Sequence, residues 1–339
     1  MLEISSHAEL VSRCQGDTLC LWAARGLDGR SRAWRSADGM ALAVAGAGLS
    51  TRDRIAVLGT AGALVPLVRD VLEAVGPTFR PLGDPPLADA LVAGIPQLKR
   101  AATFGWMDYR PAAETPSAGS GSQAVPAGAQ AVLAKPEAAH TVTDLAAAAA
   151  ADARRSEPDL TGLRSSGLRS GLTSSGPCSS GPCSSGPCSS GPCSAGPHSG
   201  GVAEQAGPSA PGVAHWLMNS ENDEVTELLD AGYAQSDARP GVVGVERWAG
   251  VRDSSGRLVA VTALAWSAVD VGYLAGVAVD PVVRGRGLGA AVCGFVLAEA
   301  LREHGAAALM VDQWNDAAIQ LYLKLGMRYR PVAVAAVKV

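Results

Sequence analysis

Apolar positions along this chain follow three regimes in turn. In residues 1–110, short apolar runs alternate with one long helical period. Leu64, Leu67, Val68, Val71 and Leu72 recur at i, i+3, i+4, i+7 and i+8 spacing, which predicts a helix over 61–75 that Gly76-Pro77 ends. Residues 18–23 (TLCLWA) form a short continuous apolar run and read as a strand. Residues 40–47 and 54–59 (RIAVLG) read as two more, and 87–93 as a second helix. From 111 to 211 no apolar period persists. After 212 the alternation returns: acidic residues lead into a helix around Val225, Leu228 and Leu229, then 244–252 and 258–267 pair over a turn at 253–257. A strand at 271–279, a helix at 290–304, a strand at 306–312, a helix at 316–325 and closing strands at 327–337 complete the pattern.

These regimes predict an α/β protein with a smaller N-terminal α/β domain at 1–110, a long disordered linker at 111–211 and a second α/β domain at 212–339. The linker expectation rests on composition. Ala, Ser, Gly and Pro dominate the segment, and SSGPC recurs four times from Ser174 to Cys193 before a decayed copy ending at His198. Gly-Pro in every five-residue unit is incompatible with helix and strand alike. Cys178, Cys183, Cys188 and Cys193 have C-x₄-C spacing with flexible residues between them, unlike the C-x₂₋₄-C pairs of zinc sites, so no metal is expected. Cys14, Cys20 and Cys293 read as small core residues.

Net charge at pH 7 is −4, which offers no basic face and argues against a nucleic-acid partner. No uncharged apolar run approaches the length of a membrane span, so no membrane partner is expected. The start has no cationic segment followed by an apolar one. A cytoplasmic location without a signal peptide is therefore the expectation.

Candidate chemistry concentrates at residues 276–289, GVAVDPVVRGRGLG. An apolar strand, a glycine-rich turn and the start of a helix follow one another, an arrangement that binds anions. Glycines admit positive φ and close approach, and the first helical N–H groups point outward with the dipole behind them. The spacing is R-x-x-G-x-G, carried by Arg284, Gly287 and Gly289, and it is neither the Rossmann nor the P-loop pattern. Further on comes Asn315-Asp316-Ala317-Ala318-Ile319-Gln320-Leu321-Tyr322-Leu323-Lys324-Leu325-Gly326-Met327.

Together these stretches resemble the GNAT superfamily of N-acetyltransferases. The resemblance implies a GNAT fold over 212–339, a mixed twisted sheet with helices on both faces. It also implies acetyl-CoA as co-substrate and acetyl transfer to a primary amine by direct attack. On it, backbone N–H groups of Arg284, Gly285, Arg286, Gly287, Leu288 and Gly289 hold the pyrophosphate. The strand residues Val277, Ala278 and Val279 lie along pantetheine, with one backbone N–H polarising the thioester oxygen. Asn315 either contacts pantetheine or caps the helix that follows it. Tyr322 is the expected general acid at the CoA sulfur; its alternative is plain core packing in a stripe with Ala318, Leu321 and Leu325.

One position departs from the family pattern. Many relatives carry a glutamate base three residues before the glycine matching Gly276, and Tyr273 stands there. Asp270, Asp280, Glu246 and Asp312 are the nearest carboxylates along the sequence. The order of elements in 1–110 is compatible with the degenerate first half found in the glycine N-acyltransferase-like branch. An acyl-CoA sensor or interaction module without turnover is the alternative function. A small amine, an amino acid or a protein amine all remain open as acceptor, and oligomeric state is not read.

Overall fold

A computed structural model describes residues 1–111 and 212–338. The expectations of a linker and of unliganded repeat cysteines at 112–211 lie outside the described residues.

In the first segment, β1 (Leu2–Ile4), α1 (His7–Cys14), α2 (Thr18–Ala24), β2 (Ser31–Arg35), β3 (Ala41–Leu49), β4 (Arg52–Gly59), α3 (Ala61–Val75), β5 (Arg80–Gly83), α4 (Pro85–Gly94) and β6 (Leu98–Tyr109) follow in order. The second has β7 (His215–Trp216), α5 (Asn222–Tyr233), β8 (Val245–Arg252), β9 (Leu258–Ala265), β10 (Gly272–Val279), α6 (Leu288–His304), β11 (Ala307–Asp312), α7 (Asp316–Lys324) and β12 (Arg328–Val337). The fold is α/β, built on a mixed sheet, as the pattern predicts.

One expectation is corrected. Residues 18–23 form the helix α2, not a strand. Asp17 caps it, its carboxylate accepting from Cys20 N at 2.8 Å, and all seven helical residues are buried. A helix buried on every side has no polar face, so its sequence carries no period to separate it from a buried strand.

Helix α3 follows its predicted bounds. Leu64, Leu67, Val68, Val71 and Leu72 are buried, and Gly76 N donates to Leu72 O in closing the helix. Helix α6 is buried over most of its surface. Gly287 and Gly305 flank it in left-handed conformation, with Arg302 and His304 in the last turn, where cations complement the dipole.

The sheet has twelve strands in the order β1-β2-β3-β4-β5-β12-β6-β11-β10-β9-β8-β7. That order is symmetrical about the β12–β6 pair. Two antiparallel steps, β2-β3-β4, lead to α3 and then to β5 parallel to β4; β8-β9-β10 lead to α6 and then to β11 parallel to β10. Each half then sends its last strand into the other: β6 pairs with β11 and β12 pairs with β5, and the two exchanged strands pair with each other from Arg328↔Asp108 to Val337↔Leu98. The segments expected as separate units, 1–110 and 212–339, therefore share one sheet in the structure. They share cores too, because Trp22, Leu49 and Trp106 pack in one cluster with Trp248, Trp266 and Tyr273.

An ion-pair knot ties the start of α5 to the end of β8. Arg252 reaches both Glu221 and Glu224. Burial opposes ionisation of Glu221, but the Met218 N–H donating to its carboxylate and the Arg252 guanidinium outweigh it and hold the carboxyl below its ordinary 4.5. A depressed folded-state value contributes stability above the unfolded value, which is lost as pH falls through the folded one. Thermal stability is therefore expected to decline as pH is lowered from about 4.5, and Arg252→Met to flatten that decline. Unfolding midpoints collected across that range check it; identical slopes in both proteins contradict the assignment.

Candidate active site

The site begins where two parallel strands part. β10 and β11 pair only at Gly272↔Ala307 and Tyr273↔Ala308. Beyond those positions β10 continues to Val279 and β11 to Asp312 without pairing to each other, and the Met310 backbone on β11 meets the Tyr273 phenol instead. A register shift between Ala275 and Ala278 in the β10–β9 ladder marks a bulge that bends β10 away. Gly276 makes the bulge feasible: it has φ +63°, and a Cβ there would lie 2.5 Å from the Trp248 ring. Val277 and Val279 are half-buried along this edge, and Ala278 is buried.

The turn that follows is held from several sides. Asp280 accepts from Val282 N at 2.8 Å and pairs with Arg257, and these two contacts keep its carboxyl below the ordinary carboxylate range. Arg284 donates from Nε to Val279 O at 3.3 Å and from a terminal amino group to Gly232 O at 2.9 Å, pinning the loop to β10 and to the end of α5. Arg286 is exposed. Gly285 and Gly287 have φ +79° and +76°, and open space faces Gly285 where a Cβ would stand. Leu288 opens α6, and Gly289 is packed: a Cβ would meet Leu321 and Val279 at 3.2 and 3.3 Å. The loop thus brings the first helical N–H groups of α6 and two left-handed glycines to the wide end of the gap.

Asn315 caps α7, its Oδ1 accepting from Ala318 N at 3.2 Å. Tyr322, on the same helix, is 6% exposed and belongs to the cluster holding Cys293, Leu309, Leu325 and Met327. Burial, with the neighbouring Cys293, Tyr233 and Tyr273, raises its phenol well above 10. It stays protonated at physiological pH and can serve as an acid but not as a base.

Tyr273 lies at the narrow end of the gap, and its surroundings are invisible in the sequence order. Trp22 stacks on it with centroids 4.7 Å apart and planes at 19°, and Trp106 and Trp266 stand at 6.1 and 6.4 Å. Trp22 Nε1 donates to Trp266 O at 2.9 Å, fixing the stack across the two segments. Burial pushes the Tyr273 phenol up to about 12, against the lowering influence of the nearby Arg54 guanidinium, Met310 backbone and Ser50 hydroxyl. A phenol in this state is no base at neutral pH.

The other carboxylates named from the sequence are scattered. Asp270 lies 3.0 Å from His7 Nε2, and Glu246 accepts from Ser267 N at 2.9 Å. Asp312 ends β11 and, after burial, is the largest influence raising the phenol of Tyr233 on α5. Among the described residues no cluster of His, Cys, Asp or Glu has the makings of a metal site, and no helix is long and apolar enough to cross a membrane.

Residues 214–327 match the model of the acetyltransferase (GNAT) family. The C-terminal part of the chain is a GNAT domain. The match covers less than half of the chain. No curated protein matches the sequence. Among solved structures, a GNAT-family protein of Novosphingobium aromaticivorans is 27% identical at TM-score 0.33, covering 39% of this chain; the alignment spans 59% of that protein's own length. A GCN5-related N-acetyltransferase of Kribbella flavida aligns over 94% of this chain and 95% of its own, at 13% identity and TM-score 0.44. One from Sphaerobacter thermophilus aligns over 98% and 90%, also at 13% and 0.44.

Proposed function

We propose that this protein transfers an acetyl group from acetyl-CoA to a primary amine. A GNAT domain supports acyl transfer in general. The observation that carries the finer reading is the parting of β10 and β11 directly above a left-handed glycine turn at the head of α6.

Acetyl-CoA supplies an activated acyl group as a thioester. In this reading the N–H groups from Arg284 to Gly289 hold its phosphates, and Arg286 adds charge from the loop surface. Arg284 acts mainly on the loop itself, through the carbonyls of Val279 and Gly232. The free edge of β10 at Val277, Ala278 and Val279 pairs with the amides of the pantetheine arm. A backbone donor on that edge stabilises negative charge on the carbonyl oxygen, an effect of about 3–4 kcal/mol per donor. Asn315 serves as a helix cap and positions α7, and Tyr322 Oη gives its proton to the departing sulfur. Because Asp270 and Glu246 are engaged elsewhere, the amine loses its proton to water.

The symmetry of the sheet favours reading 1–110 as a degenerate half of the same kind, as in the glycine N-acyltransferase-like branch. β4 runs into α3 through Gly59-Thr60 without the R-x-x-G-x-G turn, so that half has no phosphate cradle. One observation favours the alternative of a CoA-binding module without turnover, namely a buried, high-pKa tyrosine where many relatives carry a base. Isotope-labelled acetyl-CoA incubated with amine pools, followed by mass spectrometry, separates the two. A labelled acetamide product is expected, and cofactor binding without any product sinks the enzyme reading.

A further inference from the structure

In open α/β sheets, ligands settle outside the carboxyl ends of the parallel strands, where neighbouring elements leave a crevice. The second half has such a place where β10 and β11 part. The first half has one of its own. At the carboxyl end of β4, a cavity of about 430 Å³ lies among Leu58, the α1–α2 turn, the end of β6 and the start of β12. That volume falls within the roughly 300–1,000 Å³ of small-molecule sites. None of its lining residues belongs to the β10–β11 gap or to the glycine turn.

The cavity is acidic in its depth. Asp17 and Asp108 line it, with side chains only 13% and 14% exposed. Thr18, next to Asp17 in the chain, is fully engaged: its hydroxyl donates to Asp108 Oδ2 at 2.7 Å and accepts from Trp106 Nε1 at 2.9 Å. Asp17 Oδ1 accepts from Cys20 N at 2.8 Å, and its Oδ2 pairs at 2.8 Å with Arg330, which also reaches Asp84. Asp108 Oδ1 pairs with Arg328 Nε at 3.3 Å. Each carboxylate thus meets one counter-ion and one neutral donor, filling two of its roughly four acceptor positions. A further cation would have to displace an arginine. A hydroxyl adds a donor without disturbing either ion pair, and Leu58 beside it offers an apolar wall.

The mouth is basic. Arg328 is 71% exposed and holds Asp108 through Nε, so its terminal amino groups make no hydrogen bond among the described residues. Arg110 lies across the α1–α2 turn: Gly16 there has φ +81°, and a Cβ on it would stand 2.8 Å from a terminal nitrogen of Arg110. Arg110 comes two residues after Asp108, the register partner of Arg328, so strand alternation brings both guanidiniums to one face. A guanidinium with its fork open grips phosphate in bidentate fashion.

We propose that this cavity binds a small hydroxylated phosphate ester, of the sugar-phosphate class. Its hydroxyls donate to Asp17 and Asp108, and its phosphate lies at the mouth on Arg328 and Arg110. The site is independent of the acetyl-transfer reading. It gives the first half a ligand of its own, gripped by arginines in place of the phosphate cradle that this half lacks.

Binding is measured without turnover. The full chain is titrated calorimetrically with ribose 5-phosphate and glucose 6-phosphate, and in parallel with ribose, glucose and inorganic phosphate. At least one sugar phosphate is expected to bind saturably, about tenfold or more tighter than its free sugar or inorganic phosphate. Arg328→Met is expected to weaken that binding about 10- to 100-fold, the range set by hydrogen bonds to a charged group. Arg328→Lys, which keeps the charge without the planar fork, should fall between the two. Because the side chain is exposed, both variants should unfold at the wild-type temperature. Saturating acetyl-CoA should leave sugar-phosphate affinity unchanged. Absence of binding by both sugar phosphates, equal binding of inorganic phosphate, or unchanged affinity in both Arg328 variants overturns the inference. Competition by acetyl-CoA overturns it as well, since it moves the sugar phosphate to the glycine turn.

Discussion

Gly287→Asp is expected to abolish acetyl-CoA binding while the protein remains folded. Gly287 occupies the N-cap of α6 at φ +76°, where most side chains are strained but Asp and Asn are tolerated best. The strain therefore costs about 1 kcal/mol, well below the stability of a domain of this kind. The effect on the cofactor is far larger. A carboxylate placed at the head of the helix competes for the same N–H groups that would hold phosphate and repels the phosphate charge. Gly287→Asn is the control, since it has nearly the same volume and backbone tolerance without the charge. Calorimetric titration with acetyl-CoA should show at least a 100-fold loss in the Asp variant and a much smaller one in the Asn variant. Equal affinities in all three proteins would remove the phosphate cradle from this loop. Gly289→Asp is a poorer test, because its Cβ would press on Leu321 and Val279 and disturb packing as well as binding.

The glycine turn was legible in the sequence because its residue types are dictated locally. Left-handed φ at Gly285 and Gly287, a bulge at Gly276 against Trp248 and a cap at Asn315 each demand one kind of residue at one spacing. Helix α3 was legible for the same reason, through a buried stripe that faces one way. The missing information is of two kinds. Helix α2 has no polar face to reveal its period, and only the cap formed by Asp17 distinguishes it from a strand. The exchange of β6 and β12 between halves, and the assembly of Trp22, Arg54, Trp266 and Tyr273, join positions far apart in the chain; Trp22 and the Trp266 carbonyl it holds are 244 residues apart. No local pattern records such a pairing.

Tyr322→Phe is expected to lower kcat by about 100-fold while leaving acetyl-CoA affinity within about twofold. The ring is the packed part of this residue, touching the cluster of Leu309, Leu325 and Met327, and phenylalanine keeps it. What disappears is the proton on Oη. Burial raises that phenol well above 10, which on its own makes it a weaker acid toward a thiolate of ordinary pKa about 8.5. A thiolate generated in the same buried environment is raised for the same reason, so the mismatch between donor and acceptor is smaller than the phenol's shift alone indicates. The pH profile follows from the same groups. An amine acceptor reacts as the free base, so kcat/KM should climb with pH until the amine is deprotonated, near 8 for a polypeptide's α-amino terminus and above 10 for a lysine-type amine. Because Tyr322 remains protonated beyond pH 10, no descending limb should appear below that value in the wild type. A plateau reached already near pH 6 would point to a carboxylate acting as base, with Asp312 at the end of β11 the first to mutate. Unchanged kcat in Tyr322→Phe on an established acceptor would reduce Tyr322 to a core residue and move the proton donor to Tyr273, whose phenol at about 12 is likewise protonated throughout.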